Sequence, residues 1–125
     1  MAAMMASMTL TACAPAPAEE SDVPPRYEGI ETRLLDGNLV NFNVALSGAS
    51  SRSAVTRYAE CAAAQYALIR GYGFARHVRT QVDESAGRWT ADAVYTISAA
   101  LPAGLRTIDA EVTVADCQLA GIPTV

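Results

Sequence analysis

The chain has 125 residues, 51% apolar and 18% charged, with a formal charge of −4. That suffices for one domain of about 100 residues once an unfoldable-looking leader is set aside, and so mild an acidity leaves no electrostatic footprint for nucleic acid, which is therefore not expected as a partner. Few aromatics and abundant alanine predict a core of small side chains.

Residues 1–12, MAAMMASMTLTA, carry no charge and consist of Ala, Met, Leu and small polar residues. This is the composition of the apolar region of an export signal, and it is too short to span a bilayer as a helix. The stretch leads into Leu10-Thr11-Ala12-Cys13, which resembles the lipobox of bacterial lipoproteins: a leucine, two small residues and a cysteine at the processing site. The resemblance implies that 1–12 is a signal peptide, truncated at its start because no Lys or Arg precedes the box. It further implies that Cys13 becomes the mature N-terminus, its thiol in a thioether to diacylglycerol and its amine acylated with palmitate-like chains, enough for stable membrane anchoring. Ala14 stands where an aspartate commonly retains such proteins at the inner membrane, so the resemblance points to the outer membrane, facing the periplasm. Residues 13–26 then read as a tether: APAPAEESDVPPR combines four prolines and three acids with almost no bulky apolar side chains, too little to offset its ordering entropy.

Residues 27–125 are expected to form a single α+β domain. Ile30, Thr32 and Leu34 share one face, Asp36-Gly37-Asn38 signals a turn, and Val40, Phe42, Val44 and Leu46 alternate against Asn41, Asn43 and Ala45, predicting a hairpin. Ser50 or Ser51 offers an N-cap for the clearest helix, Arg52 to Arg70, with Val55, Tyr58, Ala59, Ala62, Tyr66 and Ile69 on one stripe and Arg57 and Glu60 roughly opposite. Gly71 suits a left-handed C-cap; the GYG of residues 71–73 lacks the strand-before-helix context of a phosphate loop. Three strands should follow. Phe74 to Val82 has Phe74, Val78 and Val82 on one face; after a polar loop over Asp83 to Arg88, Trp89 to Leu101 alternates Trp89, Ala91, Ala93, Tyr95, Ile97 and Ala99; beyond Pro102-Ala103-Gly104, Ile108, Ala110, Val112 and Val114 alternate. The predicted architecture is an antiparallel meander of four to five strands, in the order β-β-α-β-β-β, with one long helix packed across one face.

With Cys13 assigned to lipid, Cys61 and Cys117 remain, an even count that suggests a disulfide in an oxidising compartment. Strict alternation turns Cys117 away from the core unless a bulge intervenes at Asp116, and two separate buried thiols or a reactive cysteine are the alternatives. His77 is the only histidine; one His with two distant Cys supplies no metal-ligand set, so no metal or other cofactor is expected. Nothing resembles a nucleophile elbow, and Arg76 and Arg79 beside His77 disfavour its protonation. The densest basic cluster is Arg70, Arg76, His77 and Arg79, whose arginines form a weak site for phosphate, a lipid headgroup or an anionic envelope polymer. Parity separates Arg76 from Arg79, and an ordinary solvated surface is the competing reading. Tyr58, Tyr66, Phe74, Trp89 and Tyr95 fall mostly on core-facing stripes.

These features predict a membrane-anchored envelope lipoprotein of accessory or scaffolding type, not an enzyme, partnered with another envelope protein. The alternative is a small binding module for a protein segment or a small anionic ligand. The order strand, helix, three strands is similar to the cystatin-like fold, but QVDESAG, from Gln81 to Gly87, departs from the Gln-x-Val-x-Gly pattern of protease-inhibiting cystatins, so the resemblance implies topology alone.

Overall fold

A computed structural model describes residues 24–48, 51–103 and 106–125. The lipobox-like segment with Cys13, the tether up to residue 23, and Ser50 lie outside the described residues.

The first two strands, β1 (Arg26–Asp36) and β2 (Leu39–Ser47), pair as the expected hairpin. Gly37 sits at its turn with φ of 54°, a left-handed conformation that a side chain would strain. Period-two alternation places Val40, Phe42, Val44 and Leu46 on one face, all essentially buried.

Helix α1 (Arg52–Ile69) starts where Ser51 caps it, the serine Oγ accepting the Ala54 N–H at 3.2 Å. It ends in a Schellman motif: Gly71 takes φ of 79°, its N–H donates to the Leu68 carbonyl, and the Tyr72 N–H donates to the Ala67 carbonyl. Val55, Tyr58, Ala59 and Ala62 are buried as the stripe predicts, whereas Ile69 is 60% exposed. The last turn sits at the helix end, where the chain is already leaving for the next strand.

The sheet is not a meander. Its order is β1-β2-β4-β3-β5, with β3 (Phe74–Ser85) joined to β4 (Arg88–Ser98) by the two-residue turn Ala86-Gly87. That turn replaces the longer polar loop expected over 83–88. Because β4 is antiparallel to both β2 and β3, those two strands run parallel, and α1 is the crossover that a parallel connection requires. Helix α1 therefore lies across the face bearing Phe42, Ala91, Ala93, Tyr95 and Ile97, which join it in one core cluster rich in alanine.

The expectation of a strand through Val114 is overturned. Only Thr107–Asp109 pairs with β3, as β5, and Ala110–Leu119 is a second helix, α2. Asp109 caps it through its side chain, which accepts the Val112 N–H at 3.1 Å, and Glu111 in the first turn suits the helix dipole. Ala110, Val114 and Cys117, spaced for a helix, are buried against α1, while Val112, which alternation had placed inside, is 58% exposed. Among the described residues no helix is long and apolar enough to cross a membrane.

Candidate functional site

The two cysteines meet between the helices. Cys61 in mid-α1 and Cys117 in α2 are both buried, with sulfurs 2.02 Å apart and Cα atoms 6.0 Å apart. Helical geometry at Cys117 supplies the inward direction for which strand parity needed a bulge at Asp116.

The arginine cluster divides. Arg70 closes α1, and its Nη1 donates to the Tyr66 hydroxyl at 2.9 Å. Arg76 and Arg79 share the sheet face turned away from α1, contrary to the parity expectation. A bulge between His77 and Arg79 inserts Val78 as an extra residue, so Arg76 faces Thr96 and Arg79 faces Val94. Val78 is accordingly 45% exposed rather than in the core. On that open face Arg79 pairs with Asp92 at 3.4 Å. Asp92 also accepts the buried Asn41 amide at 2.6 Å, and Asn41 in turn accepts from Asn43 at 2.6 Å. Asp92 thus links Arg79 to the Asn41–Asn43 pair through one long contact, and the half-exposed guanidinium has further N–H donors beyond it.

His77, just before the bulge and in step with the buried Ala75, faces inward beneath α1. Its ring meets Tyr95 edge-on at 5.2 Å, and Nε2 lies 2.6 Å from the Thr80 hydroxyl. Around this pair opens a recess of about 250 Å³, lined by Thr56 and Glu60 from α1, His77 from β3, Tyr95 from β4, and Arg106 and Ile108 at the entry to β5. Arg106 has a left-handed φ of 68°, unusual for a non-glycine residue, and its carbonyl accepts the His77 N–H at 3.0 Å.

Electrostatics in the recess follow from burial. Desolvation, then the nearby Glu60 charge, pushes the Tyr95 phenol well above its usual range, so it stays a neutral hydroxyl. Burial, then the Arg106 guanidinium, lowers the His77 pKa and favours the neutral imidazole. Burial raises the Glu60 pKa, an effect that Arg57, three residues earlier on α1, partly offsets. The arrangement offers one carboxylate, one guanidinium and two neutral hydrogen-bonding rings beside apolar surface, which is equipment for holding a small polar molecule. The helical stripe places Glu60 opposite the buried face of α1, and no local spacing links residues from four separate segments. Among the described residues no three His, Cys, Asp or Glu side chains gather as a metal site.

The fold and these residues can be set beside known proteins. No solved structure matches the chain. The "uncharacterized 26.9 kDa protein in nqo8 5′ region" of Paracoccus denitrificans is 34% identical over 106 residues, which cover 80% of this chain and 42% of that protein. The chain thus spans less than half the length of that relative. Residues 27–121, from the second residue of β1 to the glycine that ends α2, match the YNQ4 C-terminal domain, and the chain belongs to that family.

Proposed function

We propose that the protein is an exported accessory protein of the bacterial envelope, held to the membrane by lipid on Cys13 and without catalysis of its own. The observation that carries this reading is the cysteine pair: Cys61 and Cys117 are at bonding distance inside the core, and structural disulfides persist in oxidising compartments. Removing these two leaves Cys13 as the one remaining cysteine, at the end of an export-like segment and ahead of a proline-rich acidic spacer. Ala14 favours the outer membrane, facing the periplasm. Mass spectrometry of the membrane fraction tests the proposal: a chain starting at an acylated Cys13 is expected, and an unprocessed chain with a free thiol at Cys13 would overturn it. A second reading, a small binding module, is favoured by the recess between α1 and the sheet.

A further inference from the structure

Glu60 and Arg106 line one recess from opposing segments, one on α1 and one ahead of β5. Among the described residues no ion pair joins them: the three pairs present are Arg33–Glu31, Arg79–Asp92 and Arg88–Glu28. Two opposite charges that share a partly desolvated space gain by closing on each other, or by holding opposite charges of a third body between them. Tyr95 and His77, both neutral, and the apolar Ile108 line the same recess. A volume of about 250 Å³ lies below the roughly 300–1,000 Å³ of sites for drug-sized ligands.

From this geometry we propose that the recess binds a small zwitterion of the α-amino-acid class with a short apolar side chain. Glu60 receives the ammonium group, Arg106 the carboxylate, and Ile108 and the Tyr95 ring face the side chain. This goes beyond the envelope proposal and does not depend on it, since a chain without lipid would keep the same recess.

The half-buried carboxylate fits a binding role. Burial raises its pKa, so its charged form disfavours the folded state, and an incoming ammonium removes that cost. A lone anion would meet repulsion from Glu60, and a lone cation would meet it from Arg106, so each half-ligand should bind worse than the zwitterion.

The test is an NMR titration of the oxidised full chain with L-alanine and L-valine, with propionate and propylamine as single-charge controls. Saturable shifts at Glu60, His77 and Arg106 are expected with the amino acids, and binding at least about tenfold weaker with each control, the loss of one charge-assisted contact. Glu60→Gln and Arg106→Gln should each weaken alanine binding about tenfold or more. Glu60→Gln also relieves a charge that disfavours folding, so a folded Glu60→Gln protein with weakened binding reads the contact itself. The proposal is overturned if neither amino acid gives saturable shifts, if a control binds as well as alanine, or if both variants bind like the parent.

Discussion

Cutting the link between the two helices should cost this domain much of its stability. Cys61 and Cys117 are separated by 56 residues, and in the chain-entropy treatment closing such a loop lowers the entropy of the unfolded chain enough to stabilise the fold by about 4 kcal/mol. For a domain of about 100 residues, where 1 kcal/mol moves the midpoint by about 4–8 °C, that corresponds to a drop in Tm of about 20 °C. The double variant Cys61→Ala/Cys117→Ala and the reduced parent should both show it by calorimetry, and the variant alone should be indifferent to reductant. Hydrogen exchange should place the earliest opening in α2, which packs chiefly on α1 and has Ala110 and Val114 as buried apolar anchors beside its cysteine. A midpoint that falls by less than about 5 °C on reduction, with α2 amides as protected as before, would refute the assignment of that stability to the bond.

Other substitutions separate the remaining claims. Phe42→Ala empties a fully buried ring site that touches Tyr66 and Tyr95 edge-on, and should cost about 3–5 kcal/mol in denaturant unfolding. Asp109→Ala removes the cap of α2 and should cost about 1 kcal/mol; were 110–114 a strand, the exposed aspartate would be nearly silent. Glu60 has a folded pKa raised above its usual value of 4.5, so its stabilising share is present below that pH and lost as pH rises through the raised value. Glu60→Gln should therefore raise the melting temperature at pH 7 and lose that advantage below about pH 4. His77 has the opposite sign: its pKa is lowered from 6.5, so stability held above that pH declines as pH falls through it toward the lowered value. A thermal-melt series should show His77→Gln flattening that decline.

Local signals identified the elements wherever period and punctuation agreed. The β1–β2 hairpin had alternation plus Gly37, and α1 had a helical stripe plus Ser51 and Gly71 at its ends. In the segment after Pro102 two periods competed. Ile108, Ala110, Val112 and Val114 satisfy a period of two, while Ala110, Val114 and Cys117 satisfy a helical one. Punctuation could have decided between them: Asp109 stands at the N-cap, and Gly121 at the other end takes φ of 69°.

The β3 bulge is a different kind of failure. Ala75 and Val82 both contribute to the core side of the sheet, yet seven positions separate them, an odd number that an unbroken strand cannot place on one face. One extra residue is therefore required, and Val78 is that residue. Reading by side-chain size favours Phe74, Val78 and Val82, which agree in parity and conceal the conflict. The inward position is instead taken by Ala75, fully buried in an alanine-rich core. With Ala75 inward, His77 two residues later also faces α1 and meets Tyr95, and the bulge that follows puts Arg76 and Arg79 together on the open face. The bulge thus reconciles the registers of the two ends of β3: deleting Val78 would leave His77 opposite Tyr95 and Arg79 opposite Val94, so the recess should keep its histidine in the shortened strand.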